Sequence, residues 1–151
     1  MAILKKWTTL AVVSVALLSS CTTEENYPTE TVYVNSFSKD YTVLEGNWKV
    51  DKDDSGEYFY CEFKEPNLTY DVYDYGVMQA FLLMNGENIT PLPFNDYWWE
   101  GTDYYTGYHW TEQVTCEFSP GYVTFILKYS DHEIKTQPSY NRYDFRVRFM
   151  W

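Results

Sequence analysis

Apolar and polar residues alternate along most of the chain after residue 31. A period of two is typical of β-strands that bury one face. Val77–Met84 is apolar at nearly every position, which predicts a central strand covered on both faces. The clearest alternating segments are 57–63, 114–118, 123–129 and 145–151, with weaker strands predicted at 31–37, 42–50 and 97–100.

Turn residues separate these segments. Ser119-Pro120-Gly121 predicts a tight hairpin, and 51–56 is a polar turn cluster. Leu68 and Val72 are four residues apart and Gly76 follows, which predicts one short helical turn within 67–75. We therefore predict an all-β fold: a β-sandwich of about seven or eight mostly antiparallel strands, with a closed barrel as the alternative. Three irregular connections are expected, at 85–93, 94–111 and 130–141.

The N-terminus has the features of an exported bacterial lipoprotein. Two lysines precede a short apolar run, as in a signal peptide. That run is shorter than the roughly 20 apolar residues that span a bilayer. Leu18-Ser19-Ser20-Cys21 resembles a lipobox, in which the cysteine receives lipid and the chain is cut before it. We predict a signal peptide at 1–20, a flexible tether at 21–30 and a β-sandwich domain at 31–151. The alternative is an ordinary secreted protein.

Acyl chains on Cys21, typically including palmitate, would hold the protein permanently on the outer membrane. The acidic residues that follow Cys21 resemble the export signal of surface lipoproteins in the phylum Bacteroidota. We therefore expect a protein at the cell surface that is attached to the membrane through a lipid anchor at Cys21. The alternative is that the protein is anchored in the periplasmic leaflet of the outer membrane.

Charge and composition exclude some classes of partner. After removal of 1–20, nine basic residues remain against 22 acidic ones, a net charge of −13. Such a surface repels phosphate backbones, so we expect no nucleic-acid partner. With 16 Tyr, 9 Phe and 6 Trp, the chain is too aromatic to be disordered.

The expected connection at 94–111 carries most of the functional signal. Aromatic rings beside hydrogen-bonding acids suit stacking against sugars or anchoring of a protein partner. We favour a glycan ligand first and a surface protein second; the alternative is that these rings pack onto the sandwich. The candidate ligand-binding residues are Trp98, Trp99, Tyr104, Tyr105, Tyr108 and Trp110.

The segment from Asp51 contains a weak calcium candidate. Asp51, Asp53 and Ser55 have the spacing of a calcium-binding loop, with Glu62 at the twelfth position. However, the residues that lead to Glu62 alternate as a strand, which would carry this carboxylate away from the loop. A solvated hairpin is therefore the favoured interpretation, and we expect no metal and no cofactor.

Two cysteines remain after Cys21. Cys61 and Cys116 both lie on the inward parity of their predicted strands. Outside the cytoplasm they could form a disulfide across the core. Free cysteine is also a common buried residue, so both states stay open.

Catalytic motifs are weak. Glu100 with Asp103 or Glu112 could form the acid pair of a glycoside hydrolase, but a chain with 22 acids contains such pairs by chance. His109 and His132 have no recognisable nucleophile context. We expect a non-catalytic binding or adhesion module, with an acid-dependent glycosidase or a structural envelope or fimbria-associated component as alternatives.

The order of several short motifs resembles a family of small Bacteroidota surface lipoproteins that have no assigned activity. The similarity covers about residues 41–151, and 130–141 is its most individual part. The resemblance implies an all-β lipoprotein domain and carries over no catalytic residue. The motifs are Tyr58-Phe59-Tyr60-Cys61-Glu62-Phe63, Pro66-Asn67-Leu68-Thr69, Gly76-Val77-Met78, Leu92-Pro93, Val114-Thr115-Cys116-Glu117-Phe118, Gly121 with Ser130-Asp131, and Phe145-Arg146-Val147.

Overall fold

Nine strands, one short helix and one 3-10 turn make up the part of the chain that the structure, a computed structural model, describes. The described residues are 35–84, 88–101, 107–131 and 138–151. The predicted signal peptide, Cys21 and the tether lie outside them. The elements are β1 (Ser36–Leu44), the 3-10 turn (Glu45–Asn47), β2 (Lys49–Asp53), β3 (Gly56–Lys64), α1 (Tyr70–Tyr75), β4 (Val77–Met84), β5 (Asn88–Pro91), β6 (Phe94–Glu100), β7 (Tyr108–Ser119), β8 (Tyr122–Tyr129) and β9 (Arg142–Met150).

The strands form two antiparallel sheets. One sheet has the order β1-β9-β4-β5 and the other the order β2-β3-β8-β7-β6. Every pairing is antiparallel, and consecutive hairpins join β2 to β3, β6 to β7 and β7 to β8. The prediction of an all-β sandwich is confirmed.

Aromatic packing between the two sheets forms the centre of the core. Phe125 on β8 stacks on Phe145 on β9, with ring centroids 3.9 Å apart and planes 9° apart. Tyr41 on β1 and Phe63 on β3 contact the Phe125 ring from its edges. Because side chains alternate between faces, one residue in two along these strands reaches this core.

The short helix α1 agrees with its prediction, but its glycine acts for a different reason. Thr69 caps the helix by accepting a hydrogen bond from the Val72 backbone N–H at 3.3 Å. Gly76 ends it at φ −85°, so no left-handed conformation is needed. A Cβ at Gly76 would lie 2.4 Å from the Val72 carbonyl oxygen and 3.0 Å from that of Met150. Close backbone approach therefore requires this glycine.

Both predicted hairpin turns are present. Asp53 pairs with Gly56 across a two-residue turn, and Gly56 has φ 123°. Ser119 pairs with Tyr122, and Gly121 between them has φ 83°. Glycine adopts such positive φ angles without steric cost.

Several predicted boundaries and environments are wrong. The strand expected over 42–50 is split by the 3-10 turn into the end of β1 and the start of β2. Part of the connection expected at 85–93 forms β5, which pairs with β4. β4 lies between β9 and β5, as expected for a central strand, but it is covered on one face only. Ala80 and Leu82 are buried on the inner face. On the outer face, the Arg148 guanidinium carbon lies 5.3 Å from the centroid of the Phe81 ring. No helix in the described part of the chain is long and apolar enough to cross a membrane.

Candidate functional site

The aromatic segment expected to be a loop is largely a β-hairpin. β6 and β7 pair from Phe94 opposite Val114 to Glu100 opposite Tyr108. The expectation of one long connection at 94–111 is therefore wrong, because antiparallel pairing satisfies the backbone of most of this segment. Residues 102–106, with the candidates Tyr104 and Tyr105, lie outside the described residues.

Pairing places two of the candidate tryptophans on the inner face of the sheet. Trp98 lies opposite Trp110, so both side chains point to the same side. Trp110 packs against the core. The Trp98 ring contacts the Tyr140 ring edge-on at 5.5 Å. These two candidates close the end of the sandwich rather than line an exposed surface.

Trp99 lies on the outer face of the sheet together with Tyr97, which was not among the predicted ligand-binding residues. Trp99 is 44% exposed and Tyr97 is 55% exposed. The Tyr97 ring stacks on the His109 ring, with centroids 5.5 Å apart and planes 20° apart. The signal in the sequence was parity, since Tyr97 and Trp99 are two residues apart and must share a face.

Tyr108 has a different environment. It lies at the start of β7 on the inner parity, half exposed, and its hydroxyl donates to Asp131 Oδ2 at 2.8 Å. Its ring is 5.9 Å from that of Trp110. We interpret Tyr108 as linking the start of β7 to the segment that follows β8.

A polar groove of about 410 Å³ crosses the outer face of the five-stranded sheet, and Tyr97 lies opposite one of its lining residues, Thr111. We call it the outer groove. Its volume falls within the range of roughly 300–1,000 Å³ typical of ligand sites. Its walls carry amides, hydroxyls and few charges; the lining residues are Asp53, Ser55, Gly56, Glu57, Asn95, Thr111, Gln113, Lys128, Tyr129 and Ser130.

An ion pair lies at the far end of the outer groove, and two tyrosines that do not themselves line the groove lie near this ion pair. Lys128 Nζ lies 2.5 Å from Asp53 Oδ2, and both side chains are partly exposed. The hydrogen bond from Lys128 is the main reason that the pKa of Asp53 is lowered. The same ammonium lies 5.0 Å from the centroid of the Tyr58 ring, and the Tyr60 ring follows at 6.3 Å from Tyr58. The lysine therefore covers part of the Tyr58 ring, and Tyr58 is half-buried next to the lining residue Glu57.

The calcium candidate is a β-hairpin. Asp51 and Asp53 lie on β2, where Asp53 Oδ1 accepts a hydrogen bond from the Ser55 backbone N–H at 2.8 Å. Glu62 lies on β3, six residues beyond Gly56, so it cannot close a twelve-residue loop. Within the described ranges, no group of three or more His, Cys, Asp or Glu residues could hold a metal ion.

The two cysteines that the structure describes are free thiols. Cys61 on β3 and Cys116 on β7 both pair with Phe125, from opposite sides of β8. They are thus two strand spacings apart, about 9–10 Å, whereas a disulfide requires Cα atoms within about 7 Å. The possible disulfide is therefore wrong for this fold: both residues point inward, but from one sheet. Burial raises the pKa of both thiols.

The acids proposed for catalysis are not brought together where the structure describes them. Glu112 is fully buried and accepts a hydrogen bond from the Tyr143 hydroxyl at 2.6 Å. Its partner across the hairpin is Asp96, so Glu100 lies four residues farther along β6, about 13 Å away. Glycosidase carboxylates are about 5–9.5 Å apart. Asp103, the other suggested partner, lies outside the described residues.

Comparisons with known proteins return no match, whether against protein families, curated proteins or solved structures. The geometry of the outer face is therefore what any functional proposal has to start from.

Proposed function

We propose that this protein is a lipid-anchored surface lipoprotein whose outer groove binds glycans without catalysing a reaction. The observation that carries the proposal is the stack of Tyr97 on His109, with Trp99 beside it, at the edge of a hydrogen-bonding groove. The β-sandwich supplies a rigid frame, since all three residues lie on paired strands rather than on a loop.

Sugars need two kinds of contact at once. The C–H groups of a pyranose ring pack on a flat aromatic face, whereas its hydroxyls need donors and acceptors. Tyr97 offers an exposed ring, and Asn95, Thr111 and Gln113 offer amide and hydroxyl groups on the adjoining strand positions. This combination supports a glycan ligand over a purely apolar partner.

A non-catalytic role agrees with the state of the acids near the groove. Of the two acids on the groove wall, Asp53 and Glu57, the first is engaged by Lys128, and Glu112 is buried on the other side of the sheet, where it accepts a hydrogen bond from the Tyr143 hydroxyl. The anchor at Cys21 is proposed from the lipobox and from the resemblance to Bacteroidota surface lipoproteins. A protein ligand and a structural envelope or fimbria-associated role are the competing outcomes of the tests below.

Binding is tested with the full-length protein purified in detergent and applied to an array of bacterial, plant and host glycans. We expect at least one class of oligosaccharide to bind, and Tyr97→Ala to weaken that binding about tenfold or more, equivalent to about 1.4 kcal/mol. Tyr75→Ala is the matched control, because Tyr75 is 84% exposed on α1 and away from the groove. Retention of all glycans by Tyr97→Ala, or capture of envelope proteins with no glycan bound, would refute the proposal.

The anchor is tested separately. Mass spectrometry of the protein from its native membrane should show an acylated Cys21 as the first residue, and Cys21→Ser should release the chain from the membrane. Protease added to intact cells should digest the wild-type domain if it faces outward. An unmodified thiol at Cys21 would refute the lipoprotein assignment without affecting the glycan proposal.

A further inference from the structure

We infer that the ligand of the outer groove is a linear, uncharged oligosaccharide of about three or more sugar units that lies across β3, β8, β7 and β6, contacting Tyr97 at one end and Tyr58 at the other. This inference rests on the proposed glycan function and adds the length, direction and charge of the ligand.

The length follows from the layout of the sheet. Asn95 is on β6, Thr111 and Gln113 are on β7, Lys128 is on β8 and Glu57 is on β3. The groove therefore crosses four neighbouring strands, or three spacings of about 4.8 Å, for a total of roughly 14 Å. A span of this size accommodates about three pyranose units in an extended chain, not one.

Aromatic rings are found near both ends of this path. Tyr97 is adjacent to Thr111, its partner in the β6–β7 pairing. Tyr58 follows Glu57 at the opposite end, where the Lys128 ammonium lies over its ring at 5.0 Å. Tyr97 offers an exposed ring, whereas Tyr58 offers only the part of its ring that the Lys128 ammonium leaves uncovered. Two rings that flank a hydrogen-bonding stretch fit a chain of sugars whose end units pack against tyrosine and whose middle hydroxyls bond to the sheet.

The charge of the lining selects an uncharged chain. Lys128 is the single cation among the described lining residues, and its charge is already matched by Asp53 at 2.5 Å. Glu57 adds a negative charge to the same wall, and the whole chain has a net charge of −11. A uronic acid or sulfated sugar would meet these carboxylates without gaining a free cation, so anionic glycans are disfavoured.

The test is isothermal titration calorimetry of the full-length protein in detergent, which measures its affinity for oligosaccharides of one to six units. The series are β-1,4-linked gluco-, manno- and xylo-oligosaccharides and α-1,4-linked gluco-oligosaccharides. For the series that binds, we expect affinity to rise at least tenfold between two and four units and then to level off. Oligogalacturonate of four units should bind at least tenfold more weakly at low salt.

Variants at the two ends separate this inference from the proposed function. Tyr58→Ala should weaken binding of the four-unit ligand about tenfold, whereas Tyr58→Phe should retain it because the ring remains. Tyr75→Ala again serves as the control, and circular dichroism with thermal melting checks that each variant folds. Affinity that is equal for two and six units, or unchanged in Tyr58→Ala while Tyr97→Ala loses binding, would overturn the extended ligand but leave the glycan function intact. Absence of binding by every series would overturn both.

Discussion

Glu65 is the position at which the stability of the sandwich can be tested most sharply. It follows β3 and is fully buried. Its Oε2 accepts hydrogen bonds from Lys39 Nζ at 2.8 Å and from the Tyr41 hydroxyl at 2.7 Å. Its Oε1 accepts from the Asn67 backbone N–H at 3.1 Å and from Asn67 Nδ2 at 2.9 Å. One carboxylate therefore connects β1 to the turn that precedes α1.

Glu65→Gln preserves the shape of this side chain but cannot satisfy the four donors. A carboxamide has one acceptor oxygen, so with its NH₂ group toward Lys39 and Tyr41 the Tyr41 hydroxyl can turn and accept, but the Lys39 ammonium cannot. The hydrogen bond from Lys39 is lost, and the bonds that remain no longer have a charged acceptor; since one bond to a charged group is worth about 1.5–3 kcal/mol, the total cost is about 3 kcal/mol. We expect the free energy of unfolding to fall by about 3 kcal/mol.

Urea denaturation followed by tryptophan fluorescence measures this change. With a slope of about 2 kcal/mol per molar, the midpoint should fall by roughly 1.5 M with the slope unchanged. Glu62→Gln, at an exposed position on β3, is the control and should change stability by less than about 0.5 kcal/mol. A loss below about 1 kcal/mol in Glu65→Gln would refute the assignment of four working hydrogen bonds.

Three further predictions concern pH, backbone packing and the thiols. Burial of Glu65 alone would raise its pKa, but its hydrogen bonds outweigh this effect and leave the pKa lowered. The carboxylate therefore stabilises the fold fully above the unfolded pKa of about 4.3, and this stabilisation is lost as the pH falls through the folded pKa. The urea midpoint of Glu65→Gln should thus fall less with decreasing pH than that of the wild type. Gly76→Ala should lower the free energy of unfolding by about 1–3 kcal/mol, because the added Cβ meets two backbone carbonyl oxygens. Gly46→Ala is the control and should not destabilise the protein, since there is open space around the added atom. Equal effects of the two substitutions in thermal melts would contradict the close approach at Gly76. Cys61 and Cys116 should both react with a thiol reagent in denaturant without prior reduction. In the folded protein both should react more slowly, and the buried Cys61 should react more slowly than the partly buried Cys116; if both thiols became detectable only after reduction, the free state would be contradicted.

The candidate site shows where local pattern stops being informative. Tyr97, Trp98 and Trp99 are three consecutive aromatic residues, so the sequence contains no alternation that would tell which of them is buried. Pairing of Trp98 with Trp110 determines that Trp98 lies inside and its two neighbours outside. The far end of the groove could not be predicted at all, because Tyr58 and Lys128 are 70 positions apart in the chain and meet only through the β3–β8 pairing.

The cysteines illustrate the same limit. Their inward parity was correct, since parity is a property of each strand by itself. Whether they face each other across the core or lie side by side in one sheet depends on strand order, and the order β3-β8-β7 separates Cys61 from Cys116 by a whole strand.

The sequence by itself determined the all-β class, the hairpin turns and the short helix, because alternation, turn chemistry and capping act between residues that are close along the chain. Only the tertiary structure decided which strands are neighbours, which aromatic rings reach the outer face and which polar groups line the groove. Those outcomes depend on hydrogen-bonded pairing and packing between distant segments. A period of two shows that a strand has two faces, but it does not show what lies beside each of them.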